Sequence, residues 1–161
     1  MAVSVVEDRA AGNSRLTAIR LTMLTLRNME LWRRNVTDYD SAMILVAVVA
    51  ITSERLTRAG LDDALRSIEA PMPADQLAPC NVSSIAAATG INRETTRRKV
   101  KALIEAGFLA RSEVGVIGFK AGHLQQDYIQ DLVRGQLDAV VRTVNDLTRD
   151  GTLAWEGSGS A

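Results

Sequence analysis

Between Arg93 and Lys101 the chain carries five cations, Arg93, Arg97, Arg98, Lys99 and Lys101, against one acid, Glu94, a local balance of +4. The whole chain has 19 basic and 19 acidic residues, so the information lies in where charge is placed and not in its sum. Guanidinium and ammonium groups gathered on one surface suit a polyanion, above all a phosphate backbone. A plain solvated helix face is the other reading, and the elements around the cluster must decide between them.

Those elements are written locally. The stretch "VSSIAAATGINRETTRRKVKALIEAGFLAR" runs from Val82 to Arg111. Ser83 or Ser84 can cap a short helix through Thr89, and Ala86 to Ala88 leave room for a second helix to cross closely. Gly90 allows a sharp turn, Ile91 plugs it, and Asn92 caps a second helix reaching about Ala106. At 3.6 residues per turn, Thr96, Val100, Leu103 and Ile104 fall on one side, the core face. Glu94, Thr95, Arg98 and Lys101 fall opposite or nearly so, Arg97 and Lys99 flank the stripe, and Arg93 projects from the first turn. The cations are therefore presented outward by a helix locked onto another helix. That is the arrangement in which a second helix enters the major groove of DNA.

The rest of the chain reads as support. Its 161 residues, 47% hydrophobic and only 4% aromatic, suit packed helices better than a sandwich or barrel. Residues up to about Gly12 read as a frayed end. Asn13 to Asn35 reads as a helix with apolar residues on more than one side: Leu16, Ile19, Met23 and Leu26 form one stripe, and Leu21, Leu24 and Leu31 lie off it. A second helix starts at a cap on Asp40 or Ser41 and ends at Gly60; another short one is expected from Leu61 to Ile68. All three prolines, Pro71, Pro73 and Pro79, sit in one connecting loop. "FLARSEVGVIGFK" reads as a small hairpin about Gly115, and His123 to Asp150 as a long amphipathic helix. The tail "WEGSGSA" reads as flexible.

Other chemistries find no footing. One cysteine, Cys80, cannot form an intrachain disulfide, and no paired cysteines suggest zinc. The single histidine, His123, has no catalytic partner in sight and reads as a surface or capping residue. The glycines of "GVIGFKAG" lack the order of a nucleotide loop. No metal, no cofactor and no enzymatic activity are expected. The most apolar stretch, Ala42 to Ile51, is about half a membrane span, so the chain reads as soluble and cytoplasmic with no membrane partner.

"SSIAAATGINRETTRRKVKALIEAGFLAR" resembles the winged helix-turn-helix domains of bacterial transcriptional regulators of the MarR, GntR and IclR types. The resemblance covers Ser83 to about Lys120, with Ala86, Gly90, Ile91, Val100, Leu103, Gly107 and Leu109 at structural positions. Thr96 stands where the family often has Val, the proline-rich loop is longer than usual, and the wing has few cations. The resemblance implies a mainly α fold: a three-helix core with a β-hairpin wing, plus additional N- and C-terminal helices. It implies three regions, an N-terminal extension and helix over 1–38, the winged domain over 39–121, and a C-terminal helix and tail over 122–161.

It also implies double-stranded DNA as the partner. Arg93, Thr95, Arg97 and Arg98, with the capping Asn92, would stand at bases and phosphates, and Glu94 would accept from cytosine. Ser83 and Ser84, with the N-terminal amides of their helix, would meet a phosphate. Lys101, Arg111 and Lys120 are further phosphate candidates. The terminal helices would form a homodimer, and any small-molecule effector would sit between them and the core. The alternative is a winged-helix module that uses the same basic helix on an acidic protein.

Overall fold

The computed structural model describes residues 2–155. They form a mainly helical protein with two small antiparallel two-stranded sheets. In chain order the elements are β1 (Val3–Val5), α1 (Glu7–Gly12), α2 (Ser14–Arg33), α3 (Tyr39–Thr52), α4 (Glu54–Ala59), α5 (Val82–Thr89), α6 (Arg93–Glu105), β2 (Leu109–Arg111), β3 (Ile117–Phe119), α7 (Asp127–Arg149) and β4 (Leu153–Trp155). The chain separates into two compact units, Arg33–Asp131 and Met1–Trp32 with Leu132–Ala161. Among the described residues no helix is long and apolar enough to cross a membrane.

In the Arg33–Asp131 unit α3 is the central post. Its residues Ala42, Ile44, Leu45, Ala47 and Val48 are all buried, because α5, α6 and β3 pack around it. A helix covered on several sides needs no polar stripe, which is why "AMILVAVVAI" has none. Asp38 caps it by accepting from the Ser41 amide at 2.9 Å. The cap therefore lies two or three residues before the Asp40 or Ser41 expected from sequence, and the chain enters it extended. Ile85, Val100, Leu103, Leu109 and Ile117 complete the core. The connection of 60–81 is irregular, with 3-10 turns at Asp63–Leu65 and Ala74–Gln76 in place of the expected helix to Ile68. It is tied in by the Ala78 amide to the Thr52 carbonyl at 2.9 Å and by the Ile117 amide to the Cys80 carbonyl at 2.8 Å. Cys80 is fully buried, and burial raises its thiol pKa.

In the other unit α2 lies beside α7. Arg20 bonds Asp146 at 3.1 Å and Asp150 at 3.3 Å, Asn13 donates to the Asp150 carbonyl at 2.8 Å, and Leu31 lies against Gly135. A Cβ on Gly135 would stand 3.0 Å from the Leu31 Cδ2, so glycine permits the close approach. The N-terminal residues are not a frayed end as expected: Val3, Ser4 and Val5 pair with Trp155, Ala154 and Leu153. The partner strand lies some 150 residues away, so no local signal announces it. Trp155 accordingly belongs to a strand, while the remainder of the tail, 156–161, lies outside the described residues.

Candidate nucleic-acid interface

The site is built on the turn between α5 and α6. Gly90 takes the left-handed conformation, with φ 71°, which glycine adopts without strain. Asn92 then caps α6, its Oδ1 accepting from the Glu94 amide at 2.9 Å. Thr96 is fully buried beneath α6, with its hydroxyl donating to the Asn92 carbonyl at 3.0 Å. Val100 and Leu103 are buried with it. The helical phase read from the 3.6-residue period is the observed one.

At the start of α5 the cap differs from expectation. Asn81, and neither Ser83 nor Ser84, holds the position: its Oδ1 accepts from the Ser83 amide at 2.9 Å and the Ser84 amide at 3.0 Å. Ser84 returns the bond through its hydroxyl, which accepts from the Asn81 amide at 3.0 Å. Asparagine at the cap with serine three residues on is a reciprocal capping box, legible in "NVSS". Two amides expected to meet a phosphate are thereby already bonded. Ser84 is half-buried, and Ser83 stays exposed.

The cations divide into three groups. Lys99 turns inward to Asp38 at 2.6 Å, clamping α6 to the cap of α3. Partial burial works to raise the Asp38 pKa, yet bonds from Lys99, the Ser41 amide and Thr37 outweigh it and hold the carboxyl well below the usual range. Arg97 and Lys101 face solvent in pairs along their own helix, Arg97 with Glu94 at 3.1 Å and Lys101 with Glu105 at 3.7 Å. Such exposed pairs contribute little and exchange readily for another anion. Arg93, Arg98, Arg111 and Lys120 are exposed and have no acidic partner within ion-pair distance among the described residues.

Strands β2 and β3 form a hairpin in which Leu109 pairs with Phe119 and Arg111 with Ile117. The Ser112 amide donates to the Val116 carbonyl at 2.8 Å, and Gly115, with φ 84°, makes the turn. This folds Arg111 back towards α6. Arg93, Arg97 and Arg111, with Ser83 and the Asn81 cap, line one open cleft of about 460 Å³. Three guanidinium groups from two elements, beside a helix N-terminus and with no carboxylate among its lining residues, form a concave cationic surface.

Comparisons with protein-family models, with curated proteins and with solved structures find no match to this chain. The site therefore stands on its own geometry. Of the residues singled out by sequence, Ser83, Arg93, Arg97 and Arg111 meet in the cleft. Asn92, Glu94, Thr95, Arg98 and Lys101 lie along α6 without lining it, and Lys120 sits at the rim of a different cavity. Asn81 and Gly115 were not singled out as site residues, though the capping box and the hairpin turn were the signals for them. Among the described residues no group of three or more His, Cys, Asp and Glu side chains could hold a metal ion.

His123 corrects another expectation. It is neither a surface residue nor the first residue of α7: it is buried four residues earlier, among Phe108, Phe119 and Tyr128 at ring separations of 5.0, 5.8 and 5.7 Å. The Tyr128 hydroxyl hydrogen-bonds its Nε2. Burial lowers its pKa, a backbone bond with Gly107 works to raise it, and nearby Lys120 lowers it. This aromatic knot joins the end of α6, strand β3 and the start of α7.

Proposed function

We propose that the protein is a winged helix-turn-helix regulator that binds double-stranded DNA as a homodimer. The observation that carries the reading is the cleft in which Arg93, Arg97 and Arg111 converge beside Ser83. In this reading α6 enters the major groove with Arg93 and Arg98 at guanine edges, and Thr95 and Glu94 face neighbouring bases. Arg97 exchanges Glu94 for a phosphate, and Arg111 holds the same strand from the wing. Lys99 has a structural part only, since Asp38 already neutralises it.

What supports the homodimer is surface left uncovered. Within the unit of Met1–Trp32 and Leu132–Ala161, α2 has no buried residue and exposes Leu16, Ile19, Leu21, Met23 and Leu26, and α7 exposes Val133, Leu137, Val140 and Val141. Apolar residues clustered in this way suit a protein interface. A two-fold pair would present two recognition helices to half-sites one helical turn apart.

The test is selection of bound duplexes from a random pool, followed by titration of the selected site and of random duplex at several salt concentrations. Expected are a palindromic site and an affinity that falls steeply with salt. Failure to shift any duplex at low salt would sink this reading and leave the basic helix to an acidic protein partner.

A further inference from the structure

We infer that the arginine cleft of the Arg33–Asp131 unit binds a diphosphate group, free or carried by a nucleotide, and that this ligand competes with DNA for the cleft. Its three cations come from two elements. Arg93 and Arg97 stand four residues apart on α6, so they share one face, at the edge of the stripe that buries Thr96 and Val100. Arg111 lies two residues from buried Leu109 and directly opposite buried Ile117. Alternation along a strand and pairing across it put all three on one side of the hairpin, the side that packs on the core. The Arg111 side chain therefore leaves β2 towards α6, against which β2 packs, and Ile117 opposite it lines the cleft.

Charge and room fit a diphosphate better than the single phosphate of a nucleic-acid backbone. A backbone phosphodiester carries one negative charge, which would leave two of the three guanidinium groups unmatched. Terminal phosphates carry about −1.5 each at neutral pH, so a diphosphate brings roughly −3 into one place. The cleft holds about 460 Å³, room for about fifteen heavy atoms at the ~30 Å³ a water molecule takes in the liquid, and a diphosphate has about nine. Guanidinium groups meet phosphate oxygens through paired N–H donors. Arg93 and Arg111 have no acidic partner within ion-pair distance among the described residues, and Arg97 has only the exposed Glu94. No Asp or Glu lines the cleft to repel the ligand, and the Asn81 Oδ1 is already turned to the amides of Ser83 and Ser84.

The competition rests on the reading that DNA occupies this cleft; binding of the diphosphate does not, and it is measured without DNA. With a diphosphate in place, Arg97 and Arg111 have no charge left for a backbone phosphate. A neutralised cleft forfeits its electrostatic share of duplex affinity.

The probe is inorganic pyrophosphate, titrated into the full chain by calorimetry, with ADP, AMP, orthophosphate and sulfate beside it at matched ionic strength. Expected is saturable one-to-one binding of pyrophosphate or ADP, about tenfold or more tighter than that of AMP, orthophosphate or sulfate. The tighter of pyrophosphate and ADP names the source, and either supports the inference. Arg111→Ala should weaken binding about tenfold. Arg111→Lys should weaken it less, since an ammonium keeps the charge without the paired donors. Arg66→Ala, exposed and outside the cleft, should leave binding unchanged. Added to the protein on its selected duplex, pyrophosphate should release DNA in proportion to its own occupancy. Binding no tighter than that of sulfate, or equal losses in Arg111→Ala and Arg66→Ala, would overturn the inference; a duplex that still shifts would then leave the DNA reading standing alone. If pyrophosphate binds and no duplex does, the DNA reading and the competition fall and the diphosphate site remains. Duplex binding that ignores bound pyrophosphate overturns the competition.

Discussion

The two units of the chain solve the problem of burial in opposite ways. In Arg33–Asp131 the helices close on one another, and only Tyr39 and Val114 are exposed large apolar residues among those described. The other unit exposes twelve, on β1, α2, α7 and β4. The first has a core that α3, α5, α6 and β3 complete between them. The second has helices whose apolar residues occupy two stripes: Leu16, Ile19, Met23 and Leu26 stand exposed beside Thr17, Arg20, Leu24 and Leu31, which are at least partly covered. A helix that is apolar on two sides asks for two neighbours. The difference teaches that one chain can close a core in one unit and leave apolar helix faces uncovered in the other.

The sharpest way to break that comparison is to put the same charge into each unit. Thr96→Asp places a carboxylate at a fully buried position with no cation to meet it, and should destabilise the protein by several kcal/mol. Thr96→Val loses only hydrogen bonds to backbone carbonyls and should cost about 1 kcal/mol. Chemical denaturation measures both. Equal stabilities would show that α6 is packed in another phase.

Ile19→Asp and Leu137→Asp carry the same charge onto residues 50% and 53% exposed. The circular dichroism of the folded chain should survive them, while the proposed dimer should weaken by about 2 kcal/mol or more for each. Light scattering over a range of concentrations reads the difference. A parent protein that stays monomeric at high concentration would remove the proposed dimer.

How far the sequence foretold these two units depends on the range of the forces that make them. The α5–Gly90–α6 turn, the Asn92 cap, the burial of Thr96 and the hairpin about Gly115 rest on neighbours within a few residues, and all were legible. The Lys99–Asp38 clamp, the pairing of β1 with β4 and the burial of His123 join residues far apart in the chain or depend on tertiary cover. Periodicity cannot report those. Lys99 is instructive: on the helical wheel it is one more flanking cation, and only the fold brings Asp38 to it. The cleft lies between these extremes, since Arg93 and Arg97 were foreseeable as neighbours but Arg111 arrives through the β2–β3 register.

Within the first unit the DNA reading makes a smaller, graded prediction. Arg93→Ala and Arg111→Ala remove guanidinium groups from the cleft, whereas Lys99→Met removes a cation bonded to Asp38. Arg93→Ala should cost about 1–3 kcal/mol on the selected site and relax one base position. Arg111→Ala should weaken selected and random duplex alike and lower the salt slope by about one. Lys99→Met should lower stability and leave the salt slope unchanged. A slope that falls equally in all three variants would mean that net charge, and not the cleft, drives binding.

The smallest effect concerns pH, and it too separates the units, because the only histidine lies in the first. Burial among Phe108, Phe119 and Tyr128 lowers the His123 pKa below its ordinary value of about 6.5. The unfolded chain therefore takes up a proton at a pH where the folded chain does not. Stability from this group is fully present above about pH 6.5 and declines as pH falls from there towards the lowered folded value. One proton limits the slope to about 1.4 kcal/mol per pH unit. Asp38 acts in a separate window: its carboxyl is held low, so its contribution is present above its ordinary range near 4 and is lost only on further acidification. Denaturation at pH 7.5, 6.5 and 5.5 should thus show a loss that His123→Phe abolishes and Asp38→Asn does not. If dissociation of the proposed dimer, read at the same pH values, accounts for the whole loss, the titrating group belongs to that interface and not to the aromatic knot behind the β2–β3 hairpin.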